Sequence, residues 1–164
     1  MQTKKWQFTE RFQDLPDGPW KDEACDKMQW QDEATGLPCL VVRNRMGAWC
    51  GYVGVDETHP FYGKNYDDLG VSVHGGLTFS DLCSPAPNDE GICHVPDEGE
   101  PDNLFWFGFD CAHYNDLIPG MLKYRTESGL SAFSRYTERE AYRTLDYVQE
   151  QCRQLAAQLK AWHS

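Results

Sequence analysis

Four residues have side chains suited to acid-base or nucleophilic chemistry, and they stand at the ends of two apolar runs: His74, Asp110, Cys111 and His113. The run at 70–79 alternates valine with polar residues, and the run at 105–113 is aromatic until its polar end. An Asp-His pair can serve as general acid and base near neutral pH. A cysteine thiolate activated by a histidine can act as a nucleophile. The pattern therefore predicts a site where the two runs end.

We expect the two runs to form the neighbouring central strands of a sheet, because strand ends and the loops after them present functional side chains. Two kinds of site then stay open. In a hydrolase, Asp110 and His74 would activate water, or Cys111 would attack the substrate directly. In a binding protein, the same residues would line a pocket and return the ligand unchanged.

A divalent metal ion such as zinc is a further alternative for these residues. Cys83, Cys93 and His94 lie between the two runs and could complete a ligand set with the polar residues at their ends. The sequence has neither a Cys-x-x-Cys knuckle nor a His-Glu-x-x-His helix, the spacings that make a zinc site specific. The metal content therefore stays open, and no cofactor is predicted.

The surroundings of the first run also offer groups that bind small polar ligands. Glycine pairs leave the backbone accessible, hydroxyls form hydrogen bonds, and aromatic rings provide flat contact surfaces. A nearby cation can neutralise a phosphate. The predicted ligand-binding residues are Tyr52, Lys64, Gly75, Gly76, Thr78 and Trp106.

The acidic residues are concentrated in one region of a chain whose formal net charge is -11. No lysine or arginine stands between Lys64 and Lys123, and the segment 81–103 combines acidic residues with proline and glycine. Such a surface repels phosphate backbones, so we expect no nucleic-acid partner. We interpret 81–103 as an acidic loop, either solvated or a lid over His74. An acidic protein that inhibits a basic partner is another alternative.

The cysteine count and the amino terminus both favour a reducing cytoplasm. Seven cysteines are an odd number, and the first residues lack an apolar stretch. We expect most of these cysteines to be buried thiols, without an obligatory disulfide framework. No apolar run approaches the length of a membrane span, so no membrane partner is predicted.

The order of elements predicts an α+β fold, in which a mostly antiparallel sheet packs against a long C-terminal amphipathic helix. Residues 1–19 are interpreted as an N-terminal arm and 20–164 as a single domain. Segments 27–31, 37–42 and 49–55 predict an antiparallel meander. Residues 137–140 have the form of a capping box, and the apolar stripe after them predicts a helix over about 137–162. The stripe could also pair two copies, so a homodimer through this helix stays open.

Two stretches have a distinctive sequence: His-Gly-Gly-Leu-Thr-Phe at 74–79 and Trp-Phe-Gly-Phe-Asp-Cys-Ala-His at 106–113. With these stretches, and with a likeness that continues through 142–148, the chain resembles a family of small uncharacterised proteins found in bacteriophages and bacterial genomes. The resemblance implies a phage setting, in which small proteins with a pocket include some that sequester or degrade nucleotide signals of host defence. The leading hypothesis is therefore an anti-defence protein that binds or sequesters a phosphorylated, nucleotide-derived molecule. The hydrolase and the acidic inhibitor are the alternatives.

Overall fold

The structure, a computed structural model, describes residues 1–8, 12–127 and 140–162. Six strands form one antiparallel sheet in the order β1-β2-β3-β4-β6-β5. The strands are β1 (Lys4–Trp6), β2 (Lys27–Gln31), β3 (Pro38–Arg43), β4 (Trp49–Val55), β5 (Phe79–Leu82) and β6 (Phe105–Asp110). Two α-helices are described, α1 (Pro119–Glu127) and α2 (Leu145–Ala161), and α2 packs on β3 and β4. The predicted α+β class, with a C-terminal helix on a mostly antiparallel sheet, is confirmed.

The predicted meander is also confirmed, because β2, β3 and β4 pair in sequence with short turns between them. Asp32 stabilises the first turn by accepting hydrogen bonds from the backbone and hydroxyl of Thr35. Asn44 stabilises the second turn by accepting from the backbone of Met46 and Ala48. These are the local side-chain bonds for which asparagine and aspartate are favoured in turns.

Both faces of the sheet are covered, which explains why β3 and β4 are buried along almost their whole length. On one face, alternate strand residues such as Val41, Val53 and Phe107 form a core with the buried side of α2. On the other face, a smaller core contains Leu40, Val42, Tyr52 and Trp106. The helix approaches closely at Gly51, where an added Cβ would lie 2.8 Å from Cys152 Sγ.

The prediction of a central strand at 70–79 is wrong, since only its last residue begins a strand, and that strand, β5, is at the sheet edge. The segment before β5 runs along α2 instead. Its backbone bonds to helix side chains: the Ser72 N–H donates to Gln158 Oε1 at 2.7 Å, and the His74 N–H donates to Gln151 Oε1 at 2.9 Å. The alternating valines were a misleading signal, because these glutamines replace a neighbouring strand as hydrogen-bonding partner.

The predicted start of the C-terminal helix is also wrong, because α2 begins at Leu145. Thr144 is the N-cap and accepts a hydrogen bond from the Tyr147 N–H, while Glu23 Oε2 accepts from the Leu145 N–H. One hydroxyl oxygen and one carboxylate oxygen thus accept hydrogen bonds from N–H groups of the first turn, which have no partner within the helix. The predicted capping box lies mostly outside the described residues, at 137–139.

The acidic loop is tied to the sheet face opposite α2. Lys27 Nζ donates to the carbonyls of Asp89 and Gly91 at 2.7 and 2.9 Å, and Gln29 exchanges two hydrogen bonds with the backbone of Val95. His74 contacts α2 on the other face, so these contacts do not support the interpretation of the loop as a lid over His74.

A disulfide joins Cys83 to Cys93 at the base of this loop, so these two cysteines are not available as the metal ligands considered for them. Beside it, Ser84 and Ile92 pair through two backbone hydrogen bonds of 3.0 and 2.8 Å. The other five cysteines are free, and four of them are buried. The disulfide therefore fastens one hairpin and is not part of a framework.

The predicted N-terminal arm contributes to the sheet, since Lys4–Trp6 forms the edge strand β1 and pairs with β2. The Trp6 ring lies 4.7 Å from Lys27 Nζ, so it covers the ammonium that the acidic loop holds. Among the helices of the described residues, none is long and apolar enough to cross a membrane.

Candidate functional site

The candidate site is built around the loop that follows β6. Asp110, the last residue of β6, accepts hydrogen bonds from the Ala112 N–H and the Thr78 hydroxyl, both at 3.1 Å. The chain then turns, with Asn115 at a φ of 73° and the Asp116 N–H bonded to the His113 carbonyl at 3.0 Å. Asparagine is one of the few residues that adopts this left-handed conformation readily. The turn places the Asp116 carboxylate inside the protein.

Asp116 is the centre of the site, with a side chain that is 1% exposed. Its carboxylate accepts hydrogen bonds from His74 Nε2 at 2.8 Å, Arg143 Nε at 2.8 Å and the His113 N–H at 3.0 Å. Burial acts to raise the pKa of Asp116, but the bonds from Arg143, His74 and His113 outweigh it and lower the pKa below its ordinary value. Asp116 is therefore ionised at neutral pH, and we name His74, Asp116, Arg143 and Tyr147 the Asp116 cluster.

His74 lies between two oxygen atoms, and this fixes its tautomer. An ionised carboxylate only accepts, so the Nε2 that faces Asp116 carries the proton. In the neutral ring, Nδ1 is then an acceptor, and the Tyr147 hydroxyl at 2.8 Å donates to it. Burial raises the pKa of Tyr147, so the phenol keeps the proton it donates. The cluster is thus a carboxylate, an imidazole and a hydroxyl in one hydrogen-bonded chain.

His113 lies next to His74, with the two ring centroids 6.2 Å apart. Its Nε2 is 3.1 Å from Asp110 Oδ1, but the angle is wrong for a hydrogen bond, and this nitrogen has no hydrogen-bond partner among the described residues. The His113 side chain is 34% exposed. The His113 ring can pack against residue 75 only because that residue is glycine: a Cβ at Gly75 would lie 2.3 Å from His113 Cδ2.

Arg143 is the cation bonded to Asp116, and one of its three nitrogens forms a hydrogen bond with a described residue. Nε bonds to Asp116, and the guanidinium lies 5.1 Å from the centre of the Tyr147 ring. The Asp116 bond raises the pKa of Arg143, which keeps the guanidinium charged. The side chain is 27% exposed. Its two terminal nitrogens have no bond to any described residue.

The structure brings together five of the residues that the sequence analysis singled out: His74, Gly75, Thr78, Asp110 and His113. Gly76 is in the same turn, its N–H bonded to the Val73 carbonyl at 2.9 Å. Cys111 is close in sequence but points into the core, where burial raises the pKa of its thiol. A buried thiol with a raised pKa does not form the thiolate that a nucleophile needs.

Three predicted ligand-binding residues lie away from this site. Tyr52 and Trp106 belong to the small core on the opposite face of the sheet, because side chains alternate between faces along a strand. Lys64 is exposed in a turn, where its N–H bonds to the Phe61 carbonyl. None of the three has a contact with the Asp116 cluster.

The residues proposed as metal ligands do not assemble. Within the described part of the chain, no group of three His, Cys, Asp or Glu side chains could hold a metal ion. Cys83 and Cys93 are bonded to each other, and His94 Nδ1 lies 3.7 Å from Asp102 Oδ1 in a different region.

The sequence analysis missed the central residue, Asp116, and its partners Arg143 and Tyr147. Asp116 belongs to no apolar run, and it meets Arg143 only because the chain at 115–117 pairs with Ala141, in the bonds Leu117 N–H to Ala141 O and Ala141 N–H to Asn115 O. The sequence signal that could have identified Arg143 and Tyr147 was the stretch 142–148, to which the family resemblance extends. That stretch contains both Arg143 and Tyr147.

The fold and the site together define an α+β protein with a six-stranded antiparallel sheet, one covering helix and a buried carboxylate that orients a histidine and an arginine. Comparisons of the chain with protein-family models, with curated proteins and with solved structures found no match. The resemblance to a phage and bacterial family therefore stays a prediction.

Proposed function

We propose that the protein binds a small anionic ligand, of the class of phosphorylated nucleotide derivatives, on the exposed side of the Asp116 cluster. The observation that carries this proposal is the state of Arg143. Its guanidinium is fixed at Nε by a buried carboxylate, it is partly exposed, and its terminal nitrogens have no described partner. A guanidinium held in this way offers a rigid pair of donors to a phosphate or carboxylate.

The rest of the site supports an anion in the same place. The Asp116 carboxylate accepts hydrogen bonds from His74 Nε2 and Arg143 Nε, and these bonds fix the orientation of both side chains. The two terminal nitrogens of the guanidinium then face a ligand. The turn is open at Gly76, since no described atom lies within 4 Å of the position of a Cβ there. A ligand can therefore approach the backbone closely there.

The charge distribution favours a small anion over a polymer. The region between Lys64 and Lys123 supplies acidic residues and no cation of its own, and the fold adds Arg143 to it from a distant part of the chain. Within the described part of the chain, Arg143 is the one arginine bonded to the Asp116 cluster, and one guanidinium suits a compact anion, whereas a nucleic acid needs a continuous basic surface. Sequestration of such an anion agrees with the anti-defence setting that the family resemblance implies.

The test is calorimetric titration of the purified protein with pyrophosphate. We expect saturable binding by the wild type, and a loss of about tenfold or more in Arg143→Gln, the cost of removing charged hydrogen bonds. Arg153→Gln is the matched control, because Arg153 lies on α2 and its one ion pair with a described residue is to exposed Glu150. Arg143→Lys keeps the charge and tests the paired donors. Absence of binding by the wild type, or equal affinity in a folded Arg143→Gln protein, would overturn the proposal.

A second candidate function, hydrolysis, is favoured by the chain of Asp116, His74 and the Tyr147 hydroxyl, with both distances at 2.8 Å. This is the arrangement of an orienting acid, a general base and a hydroxyl. Turnover separates the two functions. A binding protein returns its ligand intact after denaturation, whereas a hydrolase returns product, and Tyr147→Phe would abolish that turnover while the fold persists.

A further inference from the structure

Tyr114 is exposed to an unusual degree beside this site. The residue is 87% exposed, more than any other large apolar residue among those described, and it follows His113 directly in the chain. Tyrosine is amphipathic and is usually at least half-buried in a folded protein. An aromatic ring left in solvent next to a polar cluster therefore needs an explanation.

The backbone that holds Tyr114 is fixed on both sides. Before it, the His113 N–H bonds to the buried Asp116 carboxylate at 3.0 Å. After it, the Asn115 carbonyl accepts from the Ala141 N–H at 2.8 Å, and the Asp116 N–H returns to the His113 carbonyl at 3.0 Å. Asn115 has a φ of 73°, a left-handed conformation that asparagine adopts readily. The ring thus stands in solvent on a rigid turn that is tied to the Asp116 cluster.

We infer that Tyr114 is the specificity-determining residue of this site and stacks on a planar ring of the ligand, so that the ligand is a nucleoside phosphate in preference to a simple phosphate or sugar phosphate. This inference rests on the proposed function, because it assumes that the phosphate binds at Arg143. A nucleoside phosphate carries an anion and a flat base on one small molecule. One ligand can then contact the guanidinium and the tyrosine together.

The rigidity of the turn is what makes Tyr114 effective for this purpose. A tyrosine has two side-chain torsions, so ordering it against a ligand costs little conformational entropy. Stacking of a base on an aromatic ring tolerates different bases, since every base has a flat face. Tyr114 would thus select for the presence of a base, and Arg143 for the charge.

The test compares two probes that differ only in the base, adenosine 5′-monophosphate and ribose 5-phosphate, by calorimetric titration. We expect Tyr114→Ala to weaken binding of the nucleotide by about tenfold, as for other aromatic-base stacks, and to leave ribose 5-phosphate unchanged. Tyr114→Phe should retain the wild-type affinity. The matched control is Tyr124→Ala, because Tyr124 is another tyrosine, 64% exposed, on α1.

The outcomes separate the inference from the function on which it rests. If the wild type binds both probes equally and Tyr114→Ala changes neither affinity, the stacking role is wrong and anion binding stands. An equal loss for both probes in Tyr114→Ala also overturns the stacking role. If the wild type binds neither probe, the proposed function fails and the inference fails with it.

Discussion

The start of α2 lies between two clusters that have an arginine, a carboxylate and a tyrosine in common. Each contains an arginine, a buried or half-buried carboxylate and a tyrosine hydroxyl. One is the Asp116 cluster, with Arg143. The other, which we name the Arg43 cluster, consists of Glu23, Asp26, Arg43 and Tyr142. The two clusters therefore allow the same chemistry to be compared in two environments.

The Arg43 cluster is saturated. Arg43 is 2% exposed, and all three of its nitrogens donate: Nε to Asp26, Nη2 to Glu23 and the Trp20 carbonyl, and Nη1 to the Tyr142 hydroxyl. Burial is the main reason that the pKa of Tyr142 is raised. Each nitrogen of Arg43 thus has an acceptor among the described residues, and Glu23 also accepts from the Leu145 N–H, so we interpret this cluster as holding the first turn of α2 and the sheet together.

In the Asp116 cluster, both carboxylate oxygens accept hydrogen bonds, but only one of the three nitrogens of Arg143 donates to a described residue. This difference shows how a structural arginine-carboxylate pair can be distinguished from one that forms part of a binding site. A buried charge must be paired, so full pairing indicates structure. Donors that stay unpaired on a fixed, partly exposed guanidinium indicate a place for a ligand.

The largest expected effect is loss of stability on Arg43→Gln. Removing one partner of a buried pair leaves the other charge uncompensated, so we expect a decrease of about 3–5 kcal/mol in the free energy of unfolding. Urea unfolding followed by tryptophan fluorescence measures it. Arg143→Gln should cost less, about 1–2 kcal/mol, because Asp116 keeps two other donors. Equal losses in the two variants would remove the distinction between the clusters.

A second effect concerns the turn beside His113. Gly75 and Gly76 both have a positive φ, of 68° and 80°, so alanine is strained at either position. Only at Gly75 would the new Cβ also meet the His113 ring. We expect Gly76→Ala to cost about 1 kcal/mol from backbone strain and Gly75→Ala clearly more, with displaced His113 resonances in NMR spectra. If the two variants lose the same stability, the close approach of Gly75 to His113 does not exist in solution.

A third effect is the pH dependence contributed by Asp116. Its pKa in the folded protein is lower than its ordinary value of 3.8, so its contribution to stability is fully present above about pH 3.8 and is lost as the pH falls through the lower, folded value. Asp116→Asn should therefore be less stable than the wild type at neutral pH, and the gap should close under acid conditions. Urea midpoints across this range measure the gap, and a gap independent of pH would contradict the assignment.

A fourth effect concerns Lys27, another buried charge, whose ammonium donates to two carbonyls and, among the described residues, to no carboxylate. Burial lowers its pKa from 10.5 to about 8. Between these pH values the unfolded chain binds a proton that the folded chain has released, so stability contributed by this group rises with pH. We expect the stability of the wild type relative to Lys27→Met to increase from pH 8 to 10.5. A relative stability that is flat or falling over this interval would show that Lys27 has a carboxylate partner in solution.

The fold was predictable where the signal is local. The meander follows from alternating residues and from turn-forming asparagine and glycine, which act over a few positions. The strand at 70–79 was mispredicted because its alternation is real but its hydrogen-bonding partners, Gln151 and Gln158, come from α2. The helix start was mispredicted because one of its capping groups is Glu23, more than a hundred positions earlier in the chain.

The site was predictable only in part for the same reason. His74, Asp110 and His113 stand at the ends of recognisable runs, so residue type and position were sufficient to select them. Asp116 and Arg143 meet through a backbone pairing that no periodicity encodes. Tertiary contacts decide which charged residues are buried, and the sequence alone does not give those contacts.

The most direct test of the central claim is an NMR titration of the wild-type protein with inorganic phosphate, observing the side-chain N–H signals of both arginines. Because the terminal nitrogens of Arg143 have no partner among the described residues, we predict a saturable shift of its guanidinium signals, accompanied by a shift of the His113 ring signals. The signals of Arg43, whose three nitrogens all donate, should stay unchanged. Arg143 signals that do not respond, or Arg43 signals that shift as much, would contradict the claim that the Asp116 cluster is the anion-binding site.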